Sequence, residues 1–203
     1  MTRHLMFHTS LGTALALALT LGATATAQAP LTLSTAKITI AGTSNVHDYT
    51  ATTAKATITN VKLGPAVAGA TFWDEVQKPG GLEAFDISIP ADSLKSSKEG
   101  LDKNMYKALK TKEHKNITFS LKRMTGEPGA LSATGILTIA GVEREVTLAL
   151  KTVKKGDSLA VSGTSDVLMT DHGIKPPTAM LGMVKADPKI TVTFEVLLGL
   201  VTT

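Results

Sequence analysis

Two histidine–carboxylate neighbours are the residues best equipped for chemistry in this chain. His47-Asp48 ends the polar stretch Gly42 to Asp48, G-T-S-N-V-H-D, and Asp171-His172 lies in a loop rich in Gly and Pro. Brought together, His47, His114 and His172 with Asp48 and Asp171 have the donor types of a zinc centre, and His47, Asp171 and His172 would suit a metal-dependent hydrolase. The spacing argues against it. There is no His pair at i,i+4, no H-E-x-x-H and no Cys. Neighbours on a strand point to opposite faces, so Asp48 is badly placed to orient the His47 ring. No Ser sits in G-x-S-x-G, and Gly80-Gly81 lacks the lysine frame of a phosphate loop. We therefore expect no catalytic residue, no metal and no cofactor. Ser44, Asn45, His47 and Asp48 are expected to bond to backbone in a tight connection between strands. The competing role for His47 is contact with the polar head of a ligand.

The N-terminus reads as an export signal. Arg3 supplies a positive start, Leu11 to Leu21 an apolar run, and Ala25-Thr26-Ala27 a small-x-small cleavage site before Gln28. The run is too short for a membrane span of roughly 20 apolar residues. This divides the chain into a leader, 1–27, and one domain, 28–203, expected in the periplasm or outside the cell. Removing the leader takes one Arg and no acid, so 21 Lys+Arg become 20 against 17 Asp+Glu. That balance is too mild to imply nucleic acid, and no basic stripe interleaves with aromatics. Without Cys, an exported domain must be held by burial and backbone pairing.

The elements that would position these residues are strands. Period-2 alternation marks Lys37 to Ala41, Ala84 to Ile89, Ile117 to Met124, Leu131 to Ala140, Glu145 to Val153, Ser158 to Met169 and Lys189 to Leu198. Tyr49 to Val61 is a weaker eighth. Turn residues at Gly126 to Gly129, Ala140-Gly141 and Lys154 to Asp157 separate several of them. Eight strands in this length predict an all-β fold, an extended antiparallel barrel or failing that a sandwich. One amphipathic helix interrupts it near residues 96–112. Leu101, Met105, Ala108 and Leu109 form its stripe, Ser96 or Ser97 is the expected cap, and the helix plugs an end of the barrel or lids a ligand entrance.

Few bulky residues are available to fill such a barrel. Beyond the leader the aromatics are Tyr49, Phe72, Trp73, Phe85, Tyr106, Phe119 and Phe194. An eight-stranded barrel either fills with side chains or holds one ligand, and this composition favours an elongated apolar cavity. The wall residues expected are Phe119, Leu137, Ile139, Leu148, Val161, Val192 and Phe194. Alternation alone does not say which strand face is inward. Trp73 is expected to pack on one end of the barrel.

Several segments, in order along the chain, resemble the YceI-like family. Gly42 to Tyr49 is similar to its G-T-S-x-x-H-D-aromatic segment, and Phe85-Asp86-Ile87-Ser88-Ile89-Pro90 with Ser93-Leu94 to its second signature. Leu101-Asp102 through Leu109-Lys110 resembles its helical stretch, Ile117-Thr118-Phe119 its I-T-F strand, and Gly135 to Val142 its G-x-L-T-I-x-G-V hairpin. Met169 to Ile174 followed by Pro176-Pro177-Thr178 resembles a C-terminal segment of one branch. A Pro that commonly precedes the I-T-F strand is Asn116 here. The resemblance implies a lipocalin-like barrel with an internal tunnel for an isoprenoid chain.

These readings converge on a non-enzymatic carrier of a long-chain isoprenoid lipid, of the polyprenyl phosphate or quinone class. Transient contact with a membrane or a lipid-delivering protein fits that role, and uncapped strand edges leave room for a homodimer. The alternatives are the metal-dependent hydrolase using His47, Asp171 and His172, and a stress-related structural barrel with a filled core.

Overall fold

Alternating apolar and polar side chains commit most of this chain to strands with one face to bury. The computed structural model describes residues 31–201; the expected leader and its cleavage point lie outside them. The strands are β1 (Leu31–Ser44), β2 (Tyr49–Thr53), β3 (Thr57–Leu63), β4 (Leu82–Pro90), β5 (Lys95–Ser96) and β6 (Asn116–Glu127), then β7 (Ala130–Ile139), β8 (Val142–Lys155), β9 (Ser158–Leu168), β10 (Thr178–Ala179) and β11 (Val184–Leu200). Two α-helices, α1 (Phe72–Glu75) and α2 (Glu99–Ala108), and several single 3-10 turns complete the described residues.

Every ladder is antiparallel, and the sheet order is β3-β4-β6-β7-β8-β9-β11-β1-β2-β5, with β10 paired to β11 off this path. The sheet curls into a lipocalin-like barrel. The chain itself links its two margins: β3 is the end strand at one edge, β2 lies beside the two-residue end strand β5 at the other, and only residues 54–56 separate β2 from β3.

All eight expected runs are strands, and the count is higher because of short elements. The weak run from Tyr49 to Val61 is two strands. Thr53 causes the break: its hydroxyl accepts from the Lys55 N–H at 3.0 Å and bonds the Ser93 hydroxyl at 2.8 Å, pulling the chain off β1. β5 and β10, at two residues each, are too short for alternation to show.

The expected helix is present but shorter, and its cap differs. Lys98 holds the N-cap position without a side-chain bond. Ser96 is unavailable because it belongs to β5, opposite Ala51. Its N–H instead donates to Asp102 Oδ1 at 2.8 Å, tying the first turn of α2 to the sheet. The helix ends at Ala108, two residues before Lys110, whose backbone is left-handed at φ 51°.

The core is split. One cluster, around Leu94, Ile117, Ile139, Val167 and Met169, packs beneath α2. The other, around Leu31, Phe72, Trp73, Val76 and Leu198, packs beneath α1. Neither includes the residues at the waist of the barrel, among them Phe119 and Phe194.

Candidate ligand-binding cavity and its mouth

Between the two half-cores lies a cavity of about 640 Å³. Each long strand gives it one face. Ile190, Val192, Phe194, Val196 and Leu198 point in from β11; Leu159, Val161, Ser165 and Val167 from β9; Val146, Leu148, Leu150 and Thr152 from β8. Leu131, Ala133, Leu137 and Ile139 come from β7, and Ile117, Phe119, Leu121 and Met124 from β6. A register shift between Leu121 and Arg123 keeps Met124 on the inward face. The wall is hydrocarbon over nearly its whole length, and volumes of this order hold ligands of drug-like size or larger.

The α1 end is closed. Trp73, 4% exposed, meets Phe72 edge-to-face with ring centroids 5.0 Å apart. Buried Gln77 latches the plug: its amide donates to the Trp73 carbonyl, and its side-chain oxygen accepts from the Thr152 hydroxyl. Thr152 in turn accepts from the Gly129 N–H at 2.8 Å. No buried polar side-chain atom at this end is left without a partner among the described residues.

The other end carries α2, whose expected stripe of Leu101, Met105, Ala108 and Leu109 faces the cavity. Tyr106 holds the helix down, donating its hydroxyl to the Leu94 carbonyl at 2.6 Å. The cavity opens beside the first half of α2, where the exposed residues His47, Lys98, Asn104, Thr178 and Met180 form its rim. Tyr49 stands just inside. Burial pushes its phenol up from its ordinary pKa, and the Asp187 carboxylate adds to the effect. It stays neutral at physiological pH.

The polar stretch Gly42 to Asp48 builds one side of this mouth. Ser44 closes the connection on itself, donating its hydroxyl to the His47 carbonyl at 2.8 Å and accepting from the His47 N–H at 3.1 Å. Asn45 clips the stretch to the β10–β11 hairpin, donating to the Met183 carbonyl at 2.8 Å and accepting from the Lys185 N–H at 2.7 Å. The expectation of backbone bonding is met by Ser44 and Asn45 but not by the other two. The His47 ring and the Asp48 carboxylate are exposed and make no hydrogen bond among the described residues. The turn is already closed by Ser44, so neither side chain is needed for it.

The eight candidate binding residues all line this cavity: Phe119, Leu137, Ile139, Leu148, Val161, Val192 and Phe194 along the wall, His47 at the rim. The second His–acid pair separates. His172 is 3% exposed, with Nδ1 donating to the Val142 carbonyl at 3.0 Å, whereas Asp171 faces solvent. Among the described residues no three His, Asp or Glu side chains converge on a space for a metal ion. The geometry therefore gives His47, Asp171 and His172 no common centre. Sequence reading missed Lys98, Asn104 and Met180 at the rim. A single Lys98 or Asn104 carries no apolar signal, and Met180 lies in a hairpin too short for a period.

A family model described as the YceI-like domain matches residues 32–198. The chain belongs to the YceI-like family. No curated protein matches this YceI-like chain. Solved structures similar to it include a polyisoprenoid-binding domain from Saccharophagus degradans implicated in plant cell wall breakdown. That domain is 11% identical with TM-score 0.65, over 86% of this chain and 100% of that one. BcnA from Burkholderia cenocepacia is 15% identical with TM-score 0.61, over 80% and 95% of the respective chains. The Campylobacter jejuni YceI protein is 18% identical with TM-score 0.52, over 73% and 85%. At these identities the likeness is one of fold, and it reproduces the all-β barrel expected from alternation.

Proposed function

We propose that this protein is an exported carrier that sequesters or ferries one long-chain isoprenoid lipid, of the polyprenyl phosphate or quinone class, without chemistry of its own. The observation that carries the reading is the hydrocarbon wall: every long strand turns an apolar face into a deep cavity closed at one end and open at the other. Burying each CH₂ contributes on the order of 0.8 kcal/mol. Several isoprene units offset the roughly 4–15 kcal/mol of freedom lost on association. The Saccharophagus degradans relative is described as polyisoprenoid-binding, which favours the same class here.

The polar end of the ligand lies at the rim, beside His47 and Lys98. Loading takes place there too. Val46, Met180, Leu181 and Met183 expose large apolar side chains on the two clipped loops of the mouth, which suits transient contact with a bilayer or a lipid-delivering protein. The export signal read at residues 1–27 puts the carrier in the periplasm or outside the cell.

The test is titration of delipidated protein with a polyprenyl phosphate, the matching polyprenol and an isoprenoid quinone. Saturable one-to-one binding of at least one is expected, and none binding would sink the proposal. His47→Ala should keep the wild-type stability within about 0.5 kcal/mol. It should weaken the phosphate by roughly fivefold, about 1 kcal/mol. Equal binding by variant and wild type would remove His47 from the mouth's chemistry.

A further inference from the structure

Three glycines sit in strand interiors on the inward face of the barrel: Gly42 in β1, Gly135 in β7 and Gly163 in β9. None has the left-handed backbone that requires glycine. Glycine inside a strand is costly and usually marks a close approach. Here each glycine lies against an aromatic ring of the cavity wall. Gly163 is directly opposite Phe194, and Gly42 directly opposite Tyr49. Gly135 lies diagonally across from Phe119, whose own partner is Leu137.

The fit leaves no room for a side chain. A Cβ on Gly163 would lie 2.5 Å from Phe194 Cζ, and one on Gly135 2.5 Å from Phe119 Cζ. Carbon contacts are normally about 3.5–4.0 Å. A Cβ on Gly42 would overlap Cζ and the hydroxyl oxygen of Tyr49. The three rings thus lie along the wall, in the space that three missing side chains leave. Phe119 and Phe194 do so at the waist, where neither half-core reaches.

We propose that Gly42, Gly135 and Gly163 set the bore of the cavity: by letting Tyr49, Phe119 and Phe194 lie flat, they keep open a passage long enough for an extended chain, and so determine the length of ligand accepted. The length claim rests on the carrier reading above; the bore claim does not. In Gly163→Ala the Phe194 ring has to swing into the lumen. Gly163 also has the Ala149 carbonyl oxygen 2.7 Å from the Cβ position, so sheet damage must be separated from narrowing. Phe194→Leu separates them by removing the ring.

Two probes are used on the wild type, Gly163→Ala, Phe194→Leu and the double variant. The first is diphenylhexatriene, a rod-like apolar dye of no biological class. The second is a series of all-trans polyprenols from farnesol upward. Gly163→Ala should lose at least about tenfold in affinity for the dye and the longest polyprenols, keep farnesol, and recover both long ligands when Phe194→Leu is added. Wild-type dye and polyprenol affinities in Gly163→Ala would overturn the inference. So would an equal loss for farnesol and the longest chain, or a loss that Phe194→Leu does not recover, since each reports sheet damage. A wild type that takes the dye but no polyprenol overturns the carrier reading while the dye arm still decides the bore. A wild type that takes neither overturns both.

Discussion

Phe194 joins the two properties asked of the wall, stability and affinity. Its ring covers Gly163 on one side and faces the cavity on the other. Phe194→Asp would put an unpaired carboxylate on a hydrocarbon surface, costing several kcal/mol or forcing its protonation. We expect the melting temperature to fall by roughly 2–4 °C for each kcal/mol and lipid content to fall with it. Thermal melts and lipid extraction check both, and a variant unchanged in each would show that the wall at Phe194 carries neither. Alternation named this residue and its neighbours, because Ile190, Val192, Phe194 and Val196 can only share a face. It could not say which face was inward. That depends on the curl of the sheet, a property of all the ladders together. The role of His47 was open for a similar reason: a Ser hydroxyl and an imidazole compete for the same backbone groups, and Ser44 is the one that takes them.

At the scale of elements, α2 depends on Asp102 more than on any cap. Its buried carboxylate accepts the Ser96 N–H at 2.8 Å. Hydrogen bonds from Ser96, with Lys95 nearby, hold its pKa below the ordinary carboxylate value. A group depressed in the folded state stabilises it above the unfolded carboxylate range and loses that contribution as pH falls through the folded value. Asp102→Ala should therefore be less stable than wild type at neutral pH, by about 1 kcal/mol or more. The difference should shrink once pH drops below about 4. A gap that stays constant across that range would assign the effect to packing instead of charge. The helix itself was legible from its stripe of Leu101, Met105, Ala108 and Leu109. The anchor was not, since it joins residues six apart across a two-residue strand. The plug helix α1 was also invisible as a helix, because four residues carry no period, although the packing of Trp73 on a barrel end was read from its place beside a loop.

For the whole molecule, the informative fact is that the hydrophobic core comes in two halves. A barrel of this chain length could bury its strands on one another, as the filled-core alternative requires. Here α1 seals one end, α2 covers part of the other beside the mouth, and the waist stays open. Composition made this legible: with so few aromatics, small and branched aliphatic side chains do not meet across the lumen. The direction of the cavity was not legible, because it rests on which end receives the Trp73 plug and which receives the clipped loops at Asn45 and Met183. The most direct measurement is native mass spectrometry of protein purified from its own host, with organic extraction of the same sample. The account predicts a protein mass raised by one molecule per chain, and an extract containing an isoprenoid-class lipid. A metal-free and lipid-free mass from freshly isolated protein, with no isoprenoid in the extract, would contradict it.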